Sequence, residues 1–398
     1  MLKLKFNFQD VLKAPRLAFS LQRMWIQLVG LFFGYLGYLV FTYLSFISNG
    51  FDLAVMWQRF GLLPCVFTVG EGLVWYSMIL AVIGMVVLFI ALLLTNTAVS
   101  RAVYMSAKGN TFYTWRESFS FAFRKLASVI LTPVSLAILV GLLVVGALVI
   151  GLLGKIPFIG EIGVSLFTVF WFLAALFLFF VAIVAAITVL YAPSILATTD
   201  EDAFEAVFQS FSMTWSQPWR MIFYQALSLV LSILALGIFA LFVKEAIVIM
   251  NTLFAWFMGA DFINLANNGQ AMLQSWTLLV EDAVAFLFRD YQHLVFFTRD
   301  FTLIPASTLS ISVVISSWLY ALSLLFLGGW VLSYGLSTYA ACNTISYIVI
   351  RQKKDEENLL ERVDREEEEE EEDEEDESES SDDETAKDTT DEEKQDAE

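Results

Sequence analysis

TWRESFSFAFRKL at residues 114–126 and DAFEAVFQSFSMTW at residues 202–215 are the two stretches from which the fold can be read. Each lies between two long apolar runs, so each reads as a short amphipathic helix that joins two membrane spans. The apolar stripe of the first is Trp115, Phe119, Ala122 and Leu126, and that of the second is Phe204, Phe208, Phe211 and Trp215, offset by 89 positions throughout. Such spacing marks one face of a helix of 3.6 residues per turn. Both stretches open with a capping-box pattern, Thr114 with Glu117 and Asp202 with Glu205, in which the first residue accepts a backbone N–H bond and the second reaches back.

Composition places these elbows in a membrane protein. Of 398 residues, 58% are apolar, 37 are Phe and only 16% are charged, far from the average of a soluble domain. The charge is concentrated at one end. Residues 355–398 hold 27 of the 42 acidic and only 4 of the 23 basic residues, a local net of −23, which leaves +4 for the rest of the chain. Within this tail residues 366–372 are unbroken glutamate. With so little apolar surface to offset chain ordering, the tail is expected to be disordered.

Outward from the elbows, the expected fold class is all-α, a polytopic bundle of six transmembrane helices. A basic amphipathic segment, residues 1–23, precedes a membrane domain of residues 24–354, and the acidic tail follows at 355–398. The predicted spans are about 24–48, 74–98, 127–153, 163–192, 221–243 and 306–330, the last with a helical extension to 350. Roughly 20 apolar residues suffice for each crossing. The first span reads as uncleaved, for no small-residue cleavage site follows it. Within it Gly30, Gly34 and Gly37 form a small-residue ridge of the kind that lets two helices approach closely.

Residues 51–72 read as a short interfacial helix and loop. Pro193 is expected to end the fourth span, and Lys244 and Glu245 to mark the outer end of the fifth. The apolar positions from Met272 to Leu287 predict a helix that lies flat in the interface or caps the bundle. The uncharged run from Pro305 to Ile350 is about twice the length of one crossing. It is read as one crossing, kinked near Gly328-Gly329 and continuing along or below the inner surface. With six spans and the N-terminus inside, fourteen Lys and Arg flank the spans on the inner side against five outside. That excess predicts both termini in the cytoplasm.

The basic residues Lys13, Arg16, Arg23, Arg101, Lys108, Arg116, Arg124, Lys125 and Arg220 are the candidate contacts to an anionic inner leaflet. Beside them Trp115, Phe119, Leu126, Phe204, Phe208, Phe211 and Trp215 form the apolar faces of the elbows. Catalytic chemistry finds no constellation. The single histidine, His293, lies beside Tyr291 and Phe296 in the amphipathic region, and Cys65 and Cys342 are too far apart in the chain to suggest a disulfide or metal spacing. No cofactor, no metal, no phosphate loop and no nucleic-acid partner is expected. The predicted spans hold no ionisable residue of the kind that marks a coupled-transport pathway.

The strip YAPSIL at 191–196, AFEAVFQSFS at 203–212, QPWR at 217–220 and the closing YIVIR at 347–351 resemble a broad set of uncharacterised bacterial six-span integral membrane proteins. The membrane domain attached to some glycerophosphodiester phosphodiesterases is distantly similar. The resemblance implies the six-span fold and a bacterial inner membrane. No catalytic phosphodiesterase domain accompanies it here, so it implies no such activity. The expectation from these readings is a non-enzymatic scaffold or membrane-organising accessory, with the acidic tail exposed for a basic protein partner. The alternative is a transporter or channel for a small or amphiphilic solute.

Overall fold

The computed structural model describes residues 3–66, 74–110, 112–287, 303–305 and 308–362, with backbone alone over 278–287. Every regular element among them is a helix. Six are long and apolar enough to cross a membrane: α3 (Leu21–Ser48), α5 (Trp75–Lys108), α7 (Leu126–Leu153), α9 (Thr168–Thr199), α11 (Pro218–Met258) and α13 (Ile311–Asp355). Between them lie α1 (Phe8–Val11), α2 (Ala14–Ala18), α4 (Leu53–Phe60), α6 (Trp115–Arg124), α8 (Ile159–Leu166), α10 (Ala203–Ser216) and α12 (Ala260–Leu287). Side chains such as Ile138, Leu142, Leu148, Val169 and Phe172 stand bare on nearly all sides of the far halves of α7 and α9. A patch of that size needs an apolar surrounding. The chain is a multi-pass integral membrane protein.

Both described termini lie at one end of the bundle, here called the basic end. Tyr334 Oη donates to Pro15 O, and Tyr104 Oη donates to Leu359 O at 2.7 Å. The three helices that run toward this end, α5, α9 and α13, pack against one another as a central trio. Each has an antiparallel partner running the other way: α3 beside α5, α7 beside α9 and α11 beside α13. Each of those partners is preceded by short helix, and that short helix packs on the central helix of the preceding pair. Thus α6 rests on α5, α10 on α9, and α1 and α2 rest on α13, closing a ring. The sequence displays two elbows, whereas the fold has three units related by an approximate threefold axis.

The α3–α5 hairpin is closed by the glycine ridge, as its spacing predicts. A Cβ added at Gly30 would lie 1.8 Å from Thr95 Oγ1, at Gly34 2.5 Å from Ala91 Cβ, and at Gly37 2.7 Å from Val87 Cγ1. Small residues are what allow two backbones this close, and close approach is the main source of helix association in lipid.

Several expected boundaries move. Pro193 does not end its span, because α9 continues to Thr199. Proline is tolerated within a membrane helix where neighbouring groups re-satisfy the freed backbone; the carbonyl that loses its donor is Val189 O, and the next one, Leu190 O, accepts from Asn343 Nδ2 of α13 at 3.4 Å. The same span does not begin at 163, since α8 is a separate helix that ends at Leu166. Lys244 and Glu245 lie inside α11, a helix of 41 residues and about 61 Å, so the helix continues past the expected outer end of the span. Their charged groups are 4.0 Å apart. Apolar side chains on both sides of the pair carry the helix past it.

The last helix spans 45 residues without a break at Gly328-Gly329. A glycine pair lowers helix propensity without ending a helix whose backbone bonds are all in place. Its expected continuation is present, and every residue from Ala340 to Ile350 is buried. The flat helix read from Met272 onward corresponds to α12, which starts earlier and contains a non-helical residue, Thr277. Phe262 and Gly269 meet Tyr320, and Trp276 meets Trp318. A stretch of two turns or more thus touches one turn of α13, so α12 runs across that helix.

Candidate functional site

The largest concentration of buried polar groups is the junction where the trio converges at the basic end. Ser100 Oγ lies 3.4 Å from Ser194 Oγ, which in turn lies 3.4 Å from Thr344 Oγ1, one hydroxyl from each central helix. Small hydroxyl side chains let three helices meet on an axis and bond across it. Beside this chain of hydroxyls, Gln225 Nε2 of α11 donates to Tyr339 Oη of α13. Leu236 of α11 fills the space in front of Gly335, with its Cδ1 2.7 Å from the position of an added Cβ. Other buried atoms of this seam, Tyr191 Oη, Gln225 Oε1, Ser232 Oγ, Asn343 Oδ1 and Ser346 Oγ, have no hydrogen-bond partner among the described residues.

Charges complete the junction from below. Arg101 is 0% exposed, and its Nη1 donates to Ala197 O at 3.1 Å, with its guanidinium 4.3 Å from the Phe121 ring centroid and 5.6 Å from that of Tyr104. It ties α5 to α9 and to the elbow α6. Lys125 Nζ lies 2.7 Å from Asp200 Oδ1 and donates to Asp200 O, joining the start of α7 to the end of α9. Arg23 is buried at the start of α3 and donates to Leu17 O.

Arg23 and Arg101 therefore cannot be the leaflet contacts expected of them: a guanidinium enclosed by rings and carbonyls does not reach a headgroup. Lys125 is largely taken up by Asp200, and Lys108 by the carbonyl of Arg362 at 3.0 Å. Lys13 is half-exposed and pairs with Asp10 at 2.7 Å. Arg16, Arg116, Arg124 and Arg220 remain exposed around the rim.

The elbows are built as their sequences predict at the start and differ along their faces. In α6 the Thr114–Glu117 box is closed in both directions. In α10 Asp202 accepts from Glu205 N at 3.1 Å, but the Glu205 carboxylate bonds Gln209 instead of returning. The buried face of α10 is Ala206, Gln209, Ser210, Met213 and Thr214. Its aromatic stripe points outward, with Phe204 and Trp215 each 78% exposed, Phe208 exposed and Phe211 half-buried. The first elbow is turned differently. Ser118, Phe121 and Ala122 face the core, Phe119 is partly buried against it, Trp115 is exposed, and Leu126 belongs to α7.

The acidic tail starts with a docked root. Residues 356–362 fold back beneath the trio with Leu359 and Leu360 in the main core. Arg351 pairs with Asp355 and with Glu357, both at 2.9 Å, and Arg362 with Glu201 at 2.8 Å. Partial burial lowers the Arg362 pKa, but the hydrogen bond and charge of Glu201 outweigh it and hold the group above the ordinary arginine value. The tail boundary read at 355 thus falls too early, because composition hides two leucines among acids. Residues 363–398, like His293, lie outside the described residues. Among the described residues no group of three or more His, Cys, Asp or Glu side chains could hold a metal.

Sequence reasoning missed Ser100, Ser194, Thr344, Leu359 and Leu360. The available signal was the uncharged run to Ile350, too long for one crossing and therefore in need of burial elsewhere. Comparison with protein families, characterised proteins and solved structures finds no match.

Proposed function

We propose that this chain is a non-enzymatic scaffold of a bacterial inner membrane, with both termini in the cytoplasm and the acidic tail presented to a basic protein partner. The observation that carries the reading is the rim of the basic end. Exposed Arg116, Arg124 and Arg220 alternate with exposed Trp115, Phe123, Trp215 and Trp219 around the junction of the trio. Arginines beside outward aromatics suit an anionic headgroup layer, the charge meeting phosphate and the rings the upper acyl chains. The excess of basic flanks on the same end and the resemblance to six-span bacterial proteins support the orientation and the compartment. The docked root places the start of the tail at a fixed point beside α10, which suits presentation.

The transporter reading would rest on the buried seam atoms that bond nothing, Tyr191 Oη, Gln225 Oε1, Ser232 Oγ and Asn343 Oδ1, but the tight packing there, with Leu236 Cδ1 2.7 Å from a Cβ added at Gly335, gives it less support. The test is lipid selection. Purified from mixed anionic and zwitterionic bilayers, the protein should retain anionic lipid by native mass spectrometry, and an Arg116→Gln/Arg124→Gln/Arg220→Gln variant should retain less. Equal retention of both lipids by the unaltered chain would remove the leaflet-gripping role. For the tail, an identical set of co-purifying proteins with and without residues 363–398 would remove the presenting role.

A further inference from the structure

The segment from Gly61 to Val66 does not behave as a water-facing loop. It follows α4 and folds down along α3, and at least three of its N–H groups and three of its carbonyls bond to protein partners. Gly61 N donates to Trp57 O at 2.8 Å, Leu62 N to Trp276 O at 3.0 Å and Leu63 N to Phe60 O at 3.0 Å, while Pro64 has no donor to place. Of the carbonyls, Gly61 O accepts from Tyr43 Oη at 2.5 Å, Leu62 O from Tyr35 Oη and Pro64 O from Tyr38 Oη. One helix thus sends three tyrosine hydroxyls to three carbonyls of one short segment. Gly61 has φ +53°, and an added Cβ would meet Trp276 O at 2.7 Å, so the close approach to α12 needs glycine.

The depth follows from α3. Tyr43 and Tyr35 lie about 8 and 20 Å along the helix from Ser48, so carbonyls reached by both sit roughly 14 Å below its end. A helix of 28 residues is about 42 Å long and exceeds a hydrocarbon layer of about 30 Å by only about 6 Å at each end. With α3 centred on that layer, the segment lies inside it. Irregular backbone persists at that depth only where protein satisfies it, and the tyrosines together with Trp276 supply partners for four of its groups.

We propose that Gly61–Val66 is a re-entrant segment, stitched into the bilayer between α3 and α12 by Tyr35, Tyr38 and Tyr43. It is independent of the scaffold reading. The chain carries its own reporter, for its two cysteines are Cys65 in this segment and the buried Cys342. Full-length protein in liposomes is treated with a charged, membrane-impermeant maleimide or with a lipid-soluble one, and modification is read by peptide mass. A Leu53→Cys variant on the exposed face of α4 is the reference. The charged reagent should modify Cys65 more slowly than Cys at 53 by about tenfold, and the lipid-soluble reagent should narrow that difference, the remainder reflecting how apolar surroundings oppose thiol ionisation. Replacing Tyr35 and Tyr38 by Phe strands two carbonyls, so reaction of Cys65 with the charged reagent should rise about tenfold. Equal rates at 65 and 53 with the charged reagent in the otherwise unaltered chain would overturn the proposal, whether or not the Phe variant folds.

Discussion

Individual residues separate the two kinds of arginine at the basic end. Arg101 is enclosed by α5, α6 and α9, so Arg101→Ala leaves a void and strands the groups it bonds. We expect a loss of about 3 kcal/mol, read as a lower unfolding midpoint in detergent or lipid. Arg116, on the rim, should lose no measurable stability as Arg116→Gln. Glycines divide in the same way. Gly30→Leu forces atoms into Thr95, whose Oγ1 is 1.8 Å from the added Cβ position, and should destabilise by about 1–3 kcal/mol or more. Gly141→Leu meets nothing within 4 Å and should be neutral in the same thermal assay. Gly30 belongs to a ridge that its sequence spacing displays and Gly141 does not, and the atoms a side chain would touch at Gly30 belong to the neighbouring helix.

Among the elements, the elbows and the tail root give the sharpest expectations. Thr114 and Glu117 close a full capping box on α6, so Thr114→Ala should cost about 1 kcal/mol. The root is a larger effect. Leu359 and Leu360 lie in the core, and burial of each leucine contributes about 1.5–3 kcal/mol. Truncation after residue 355 should therefore lower the unfolding midpoint, while truncation after 362 should leave it unchanged. If the two truncations behave alike, the root contributes nothing to the fold. The starts of the elbows were legible because capping depends on residues three apart in the chain. Their orientation was less so. The aromatic stripe of α10 faces out and its Ala206, Ser210 and Thr214 face in, the opposite of a soluble helix.

For the whole molecule, the consequence of the ring is that no unit is optional. The N-terminal segment, readable as a helix lying on the leaflet, instead closes the ring against α13, with Val11, Ala14 and Ala18 fully buried. Deleting residues 1–20 should lower the unfolding midpoint markedly. A surface helix would leave it unchanged, which makes the deletion a direct test of threefold closure.

Hydropathy, charge and the capping patterns determined by themselves that the chain is an all-helical, six-span membrane protein with short helices between its spans, because crossing a bilayer demands long uncharged runs wherever they occur. The α3 glycine ridge was legible for the same reason, being a local repeat on one helix face. Tertiary structure alone decided that the units number three and that Ser100, Ser194 and Thr344 meet. It also decided that Arg23 and Arg101 are buried, and that Leu359 and Leu360 belong to the core. Those outcomes depend on which helices become neighbours across long chain separations, and no periodicity within a single segment records the face its partner will cover.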